Sequence, residues 1–327
     1  MRLLSVVVIL VFALMGATGC TSSRHEASEK YYLVSTNTKL PYWQTASSGL
    51  QRAGAQLGVV VEMVGPDTYD PQAEKQAFTD AVAKKPAGIL ISVADPNILK
   101  PAIDTAVAQQ IPVITMDADA PDSKRATFIG TNNYQAGLIG GKLLAKLLGG
   151  KGSVVVFTMP GQVNLDERLH GYKDAAGDGI KFAHVVDIKG DPRIAFDTTN
   201  ELVGKKDSKV DAVVCLEASA CKEVAEVINR NQSKRVVIAM DTDKETLEWI
   251  QKGVIAATIG QKPFTMAYYG VKMLDDLHHY KPSTLDQNWS QDSFSTLPTF
   301  VDTGATLIDK SNVDAFLRGR EAVKGSQ

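Results

Sequence analysis

The sequence has few of the residues that form metal clusters, disulfide frameworks or strongly charged surfaces. It contains three cysteines among 327 residues, and its five histidines are His25, His170, His184, His278 and His279. Neither residue type recurs at the spacing of a zinc cluster, so we expect no metal site. The formal net charge at neutral pH is −2. This balance leaves no basic field for a nucleic acid, which is therefore not expected as a partner.

The motifs that mark catalytic and cofactor-binding sites are also missing. No G-x-G-x-x-G follows the first predicted strand, and no G-x-S-x-G is present. Residues 137–142 (GLIGGK) contain glycines and a lysine, but they lack the spacing of a phosphate loop and fall inside a predicted helix. We therefore predict that the protein is not an enzyme and holds no cofactor.

The apolar run at the N-terminus is too short for a membrane-spanning helix, which needs about 17–25 residues. It extends from Leu3 to Met15, and four small residues and then Cys20 follow it. This order resembles the signal of bacterial lipoproteins, which implies a signal peptide over 1–19 and lipidation of Cys20. Polar residues 20–30 are then a flexible tether. The alternative is an ordinary signal peptide with an incidental cysteine; both predict export to the periplasm or cell envelope.

A short phrase occurs twice and organises the rest of the chain. Residues 113–119 read VITMDAD, and residues 237–243 read VIAMDTD. Each follows a helical segment and an earlier apolar run that ends in an acid, which is the pattern of a parallel βαβ unit. Ligands bind beyond the carboxyl ends of such strands, so we predict that Asp117 and Asp241 face a shared cleft. The alternative is that they cap the next helices, a role for which Asp119 and Asp243 compete.

The alternation of strands and helices predicts an α/β protein with two similar lobes. A long helix at 263–279 and short elements after it are too few for a third domain. We expect them to cross back and complete both lobes. The predicted N-terminal lobe comprises 31–131 and 264–294, the C-terminal lobe comprises 132–263 and 295–320, and the protein is expected to be a monomer.

Five further side chains are candidates for ligand contact. Tyr42 and Trp43 are adjacent at a strand-to-helix turn and cannot share one helix face, so we expect at least one to contact ligand rather than core. Arg168 is a donor for ring or hydroxyl oxygens, or else a surface ion pair. Glu217 follows a strand of the second lobe at the place of Asp95 in the first. Gln261 lies where the chain crosses lobes, and its amide binds ligand or only bridges the hinge.

The remaining cysteines, Cys215 and Cys221, lie in a predicted buried strand and in the helix after it. An exported protein can form disulfides. Two buried free thiols and one bridge are both compatible with the sequence.

The sequence resembles the type I periplasmic sugar-binding proteins of the ribose-binding kind, which are the receptor components of ABC importers. The phrases that carry the resemblance are 41–43 (PYW), 111–117 (IPVITMD), 129–137 (IGTNNYQAG), 167–172 (ERLHGY) and 256–261 (AATIGQ). It implies two Rossmann-like, doubly wound parallel-sheet lobes joined by a multi-strand hinge. It also implies capture of a monosaccharide or similar polyol between the lobes and delivery to ABC permease subunits.

The resemblance also implies roles for single residues. Tyr42 and Trp43 match aromatics that sandwich a pyranose, and Asp117, Arg168, Asp241 and Gln261 match residues that bind sugar oxygens.

Three positions depart from the ribose binders. Leu40 replaces an asparagine, Ala118 replaces an arginine, and Glu217 replaces another asparagine. These changes imply a ligand other than ribose, because a buried polar group rejects analogues that leave it unpaired. A ligand-sensing receptor of the same fold remains the alternative function. A transcription regulator of the lactose-repressor kind is disfavoured by the signal peptide and by the lack of an N-terminal helix-turn-helix.

Overall fold

The computed structural model of the protein describes residues 25–26, 28–205, 208–280, 295 and 297–325. The predicted signal peptide, Cys20 and residues 281–294 of the predicted N-terminal lobe lie outside these ranges. Within the described ranges, none of the helices combines the length and the hydropathy that crossing a bilayer requires.

Twelve strands and ten helices alternate along most of the described chain. The strands are β1 Lys30–Val34, β2 Val60–Val64, β3 Gly88–Ile91, β4 Val113–Met116, β5 Phe128–Gly130, β6 Gly152–Thr158, β7 Ile180–Asp187, β8 Ala212–Cys215, β9 Val236–Met240, β10 Ala257–Gly260, β11 Phe300–Asp302 and β12 Thr306–Asp309. The helices are α1 Pro41–Leu57, α2 Pro71–Ala83, α3 Pro96–Ala108, α4 Asn133–Leu147, α5 Val163–Ala176, α6 Pro192–Gly204, α7 Cys221–Arg230, α8 Lys244–Gln251, α9 Pro263–His279 and α10 Val313–Gly325.

The strands form two six-stranded sheets of the same topology. The first has the order β2-β1-β3-β4-β5-β11, and the second has the order β7-β6-β8-β9-β10-β12. The neighbours pair in parallel, apart from β12, which runs antiparallel to β10 at the edge of the second sheet. Both sheets follow the doubly wound order in which ligands bind beyond the carboxyl ends of the strands. The predicted α/β fold of two doubly wound lobes is confirmed.

Three helices begin with the same local signal, an aspartate followed by proline. The carboxylates of Asp70, Asp95 and Asp191 each accept a hydrogen bond from a backbone N–H in the first turn. Proline at the first helical position is tolerated because its missing N–H has no partner within the helix. Each of these helices therefore begins at a residue that the sequence specifies.

Side chains that alternate along each central strand fill a core on both faces of its sheet. In β1, Tyr31 and Leu33 pack toward α1 and α9, whereas Tyr32 and Val34 pack toward α2 and α3. All four are fully buried. Burial on both faces is why the strand reads as a continuous apolar run rather than an alternating one.

The described chain passes between the sheets three times. It crosses after β5, after β10 and between β11 and β12. The first and third crossings are hydrogen-bonded to each other: Thr303 N–H donates to the Gly130 carbonyl at 2.8 Å, and Asn132 N–H donates to Asp302 Oδ1 at 3.0 Å. These crossings are the multi-strand hinge.

One part of the predicted lobe assignment is wrong. Residues 295–320 were assigned to the C-terminal lobe, but β11 pairs with β5 in the first sheet. The late segment therefore contributes β11 to the first lobe before it crosses to β12. The strand β12 has no counterpart in the sequence prediction, because its four residues (TLID) give too short a pattern. The other lobe boundaries stay predictions.

Candidate functional site between the two lobes

Asp117 and Asp241 occupy equivalent places in the two lobes. Each directly follows the fourth strand of its sheet in chain order, and their φ angles are 67° and 68°. Few non-glycine residues adopt this left-handed conformation, and aspartate tolerates it better than most. Each also donates its backbone N–H to the adjacent strand, Asp117 to the Ile129 carbonyl and Asp241 to the Ile259 carbonyl. The repeated phrase in the sequence therefore corresponds to a repeated turn that carries a carboxylate.

In the first lobe, the Asp117 carboxylate is held by two hydroxyl groups. Tyr42 Oη donates to Oδ1 at 2.6 Å, and Ser92 Oγ donates to Oδ2 at 3.4 Å. Burial raises the pKa of Asp117, while the Tyr42 hydrogen bond and the charge of Arg168 oppose the rise. Burial and the nearby carboxylate also raise the pKa of Tyr42, so the phenol stays protonated and remains a donor.

In the second lobe, Asp241 is 5% exposed and accepts a hydrogen bond from Gln261 Nε2 at 3.1 Å. Burial raises its pKa to about 7, and the charge of Arg168 opposes the rise. The charges of Asp243 and Asp117 also contribute to the upward shift. The free carboxylate is therefore only half ionised near neutral pH.

Arg168 on α5 is 1% exposed, so the alternative of a surface ion pair is wrong. Its two terminal nitrogens donate to uncharged oxygens: Nη1 to the Leu216 carbonyl and Nη2 to Asn133 Oδ1 at 2.5 Å. Its Nε is buried and has no hydrogen-bond partner among the residues that the structure describes. The guanidinium is therefore held by carbonyl oxygens and keeps one unpaired N–H donor on a residue that lines the cleft.

Tyr42 and Trp43 both line the cleft, but they do not form a sandwich. Their rings contact each other edge to face, with centres 5.1 Å apart and planes at 79°. No sugar ring fits between two rings in contact, so the sandwich that the resemblance implies is absent from this pair. Both rings also pack in the core of the first lobe, so each residue belongs to the core and to the wall of the cleft.

Glu217 combines a place in the cleft with two hydrogen bonds to the turn before α7. Its Oε2 accepts from Ser219 N–H at 2.7 Å, and its Oε1 accepts from Ala220 N–H at 2.9 Å, immediately before α7. Asp95 in the first lobe caps α3 in a similar way, as the predicted equivalence suggests. Burial raises the pKa of Glu217, and these backbone hydrogen bonds oppose the rise. Each oxygen therefore has only its remaining lone pair for a ligand.

The predicted capping roles of Asp119 and Asp243 hold only in part. Asp243 is the residue before α8, although its side chain makes no capping hydrogen bond. Asp119 instead forms a buried, bidentate ion pair with Arg125, whose Nε donates to Oδ1 at 2.5 Å and whose Nη2 donates to Oδ2 at 2.6 Å. No helix lies between Asp119 and β5, so Asp119 has no helix N-terminus to cap.

The predicted site residues come together around one cavity of about 70 Å³. All seven predicted residues line it. The complete lining comes from both lobes and consists of Thr36, Leu40, Tyr42, Trp43, Asp117, Met159, Gln162, Asn164, Leu165, Arg168, Glu217, Ala218, Asp241 and Gln261. A second cavity of about 370 Å³ lies beside it and shares only Asn164. The smaller cavity holds the facing carboxylates and the arginine, so it is the candidate site despite its size.

Sequence reasoning missed several polar residues near the cleft. Asn133 accepts from Arg168, although it was not among the predicted site residues. Gln162 and Asn164 are buried in the cleft wall at the start of α5, and no motif distinguished them.

Another missed arrangement brings His25 and His279, 254 positions apart in sequence, close to two carboxylates. Spacing along the chain could not reveal it.

The open alternative for the two cysteines is settled by the structure. Cys215 and Cys221 are both buried and are both free thiols. Burial raises the pKa of the Cys221 thiol well above its usual value, which keeps it protonated and unreactive.

Residues 31–281 match the family described as "Periplasmic binding protein domain". The ribose import binding protein RbsB of Bacillus subtilis is 24% identical over 296 residues, which cover 85% of this chain and 94% of that protein. AraP, an arabinose binding protein from Geobacillus stearothermophilus, is 34% identical with a TM-score of 0.73, covering 88% of this chain and 99% of its own. GanP, a glucose-galactose binding protein from the same organism, is 27% identical with a TM-score of 0.79 and the same coverage. The chain therefore belongs to the periplasmic binding protein family, and it is a type I solute-binding protein rather than an enzyme.

Proposed function

We propose that the protein captures one monosaccharide or similar polyol between its lobes and delivers it to the permease subunits of an ABC importer. The observation that carries the proposal is a pair of unpaired polar atoms in the cleft. Arg168 Nε is a buried donor and Gln261 Oε1 is a buried acceptor, and neither has a partner in the described part of the chain. A sugar hydroxyl both donates and accepts, so a polyol can satisfy both atoms.

The other side chains of the site fit the same ligand class. Asp117 and Asp241 supply carboxylate oxygens to hydroxyl donors from the two lobes, and each charge-assisted hydrogen bond contributes about 1.5–3 kcal/mol. The faces of Tyr42 and Trp43 offer an apolar wall for the C–H groups of a sugar. The relatives named above bind ribose, arabinose, and glucose or galactose.

Binding requires the lobes to separate. The cavity of about 70 Å³ is smaller than the roughly 300–1,000 Å³ of ordinary ligand pockets, and four of the seven site residues around it, Tyr42, Trp43, Arg168 and Asp241, are buried. We infer that a sugar enters when the lobes open at the three crossings, and that its contacts with both aspartates then favour the closed form. The permease recognises that closed form.

The ligand is expected to differ from ribose. Leu40 and Glu217 line the cleft at two of the positions where the ribose binders have asparagine. An apolar side chain and a carboxylate replace two amides, so the cleft loses two NH₂ donor groups and gains a carboxylate, while the number of acceptor oxygens stays the same. The third departure, Ala118, is buried and lies outside the cavity lining.

Calorimetric titration against a panel of pentoses, hexoses and inositols tests the binding proposal. We expect one sugar to bind with a stoichiometry of one. In Asp241→Asn the affinity should fall by at least about tenfold, the equivalent of 1.4 kcal/mol. Asp243→Asn is the matched control, since it removes a buried acid two positions away that lies outside the cavity lining. A folded protein that binds no member of the panel would overturn the proposal of a simple sugar.

Delivery to a permease is tested separately in cells. Deletion of the gene should abolish uptake of the radiolabelled sugar, and the Asp241→Asn protein should fail to restore it. Normal uptake in the deletion strain would exclude a role in transport. Loss of a sugar-induced transcriptional or motile response, with uptake intact, would identify the ligand-sensing alternative.

The lipid anchor is a further part of the proposal. Metabolic labelling with radioactive palmitate should label the wild-type protein and leave Cys20→Ala unlabelled. Labelling that is unaffected by this substitution would contradict an anchor at Cys20. We also propose that the protein is a monomer, and a light-scattering mass of a dimer would contradict this.

A further inference from the structure

Four side chains with metal-binding atoms meet where the N-terminal segment contacts the end of α9. They are His25 and Glu29 from the segment before β1 and Asp275 and His279 from the helix, and their ligand atoms all lie within 4.8 Å of one another. The aspartate and the histidine of α9 are four positions apart, so they share one face of the helix.

Three of the six distances among these atoms are close to those of a tetrahedral coordination shell, and all six are within 4.8 Å. Zn²⁺ bonds to nitrogen and oxygen are about 2.0–2.1 Å long, which places tetrahedral ligand atoms about 3.3–3.4 Å apart. The separations are 3.1 Å for His25 Nδ1 to Asp275 Oδ1, 3.1 Å for His279 Nε2 to Glu29 Oε2, and 3.5 Å for His279 Nε2 to Asp275 Oδ1. The donors therefore need only small movements to surround an ion.

Both carboxylates are already oriented by other hydrogen bonds. Tyr31 Oη donates to Asp275 Oδ1 at 3.2 Å, and Glu26 N–H donates to Glu29 Oε1 at 2.8 Å. The second bond fixes the glutamate so that Oε2 is the oxygen beside His279. Asp275 itself is only 3% exposed. Hydrogen bonds of this kind orient the ligands of natural metal sites and support their affinity.

We propose that His25, Glu29, Asp275 and His279 form a binding site for one divalent transition-metal ion, with Zn²⁺ as the best fit. Two imidazoles and two carboxylates are ligand types that zinc accepts, and the two carboxylates balance its charge. Four protein ligands fill a tetrahedral shell and leave no open position, so the role is structural and not catalytic.

Such an ion clamps the N-terminal segment to the first lobe. The site lies near the C-terminal end of α9, whereas the helix begins at the interlobe crossing, about 20 Å away at 1.5 Å per residue. Sugar binding therefore does not need the metal. With the chain anchored at Cys20, as proposed above, about five residues separate the anchor from the clamp, a reach of roughly 17 Å at full extension.

The test uses the chain from residue 21 onward without a histidine tag, treated with chelator and titrated with Zn²⁺ by calorimetry. We expect saturable binding with a stoichiometry of one. His25→Ala and His279→Ala should each weaken binding by at least about tenfold, since even partners outside the coordination shell contribute 10–100-fold to metal affinity. The matched control is His278→Ala, which removes the adjacent imidazole on the same helix but none of the four donors.

Co²⁺ provides a second readout that does not depend on stability. A tetrahedral Co²⁺ complex absorbs visible light strongly, whereas an octahedral or loosely bound ion absorbs weakly. Strong absorption that disappears in both histidine variants supports the site. Absence of saturable Zn²⁺ binding, or binding that neither histidine substitution changes, would show that the cluster is only a network of ion pairs and would overturn the proposal. Sugar titration of each variant verifies that it is folded.

Discussion

The affinity for sugar should rise with pH between 5 and 7 because of Asp241. Burial raises the pKa of this carboxyl from 3.8 to about 7 in the ligand-free protein. A hydroxyl that donates to the ionised carboxylate stabilises that form, so binding lowers the pKa and releases a proton. Relative to alkaline solution, the observed affinity should fall about twofold at pH 7, about tenfold at pH 6 and up to about 100-fold at pH 5.

The assay is calorimetric titration at pH 5, 6, 7 and 8, repeated at pH 7 in phosphate and in Tris. The two buffers have different ionisation enthalpies, so the difference between the measured binding enthalpies gives the number of protons released. Half-protonated Asp241 predicts release of about half a proton at pH 7. Burial also raises the pKa values of Asp117 and Glu217, and they contribute in the same direction.

Two variants separate Asp241 from its neighbours. Asp241→Asn cannot ionise, so any residual binding should depend less on pH and should release less proton at pH 7. Asp243→Asn should keep a pH dependence but move it to lower pH, because the charge of Asp243 contributes to the raised pKa of Asp241. An affinity that is constant from pH 5 to 8, with equal enthalpies in both buffers, would refute the reasoning.

Three further outcomes follow from the structure. The raised pKa of Asp241 stabilises the fold below about pH 4, and this stabilisation is lost as the pH rises to about 7. Asp241→Asn should therefore increase the free energy of unfolding of the ligand-free protein at pH 7.5, by on the order of 4 kcal/mol at most. Urea unfolding that shows a lower free energy of unfolding would contradict this. Gly137→Ala should lower the melting temperature and weaken sugar binding, because the added Cβ would lie 2.2 Å from a backbone oxygen of α5. Gly204→Ala is the control, since a Cβ at that position has no atom within 4 Å. Calorimetry and thermal melts of both variants check this, and equal effects would contradict it. Cys215 and Cys221 should react with a thiol reagent only after unfolding, and rapid reaction of the native protein would show that they are not buried.

The fold was predictable because its signals are local and repeated. Apolar strands that end at Asp117 and Asp241 define both sheets, and aspartate–proline pairs fix the starts of α2, α3 and α6. Buried parallel strands lack alternation, but their length and the helices between them distinguish them from helical segments. The pairing of β11 with the first sheet was not predictable, since it depends on contacts made across the hinge.

Contacts among the side chains of the cleft were the least predictable part of the site. The sequence identified Arg168 as a donor, but the use of two of its nitrogens by Leu216 and Asn133 depends on how α5 packs in the lobe. The edge-to-face contact of Tyr42 with Trp43 depends on the backbone at the start of α1 and on the core beneath it. Such details are set by tertiary packing, which neither periodicity nor motif spacing encodes.

The most direct test of sugar capture between the lobes is a crystal structure of the protein with the sugar that binds in the panel. The predicted result is one sugar enclosed at the carboxyl ends of both sheets, with hydroxyls that donate to Asp117 and Asp241 and an oxygen that accepts from Arg168. A sugar bound to one lobe alone, or in the larger cavity lined by Phe128 and Phe300, would contradict it.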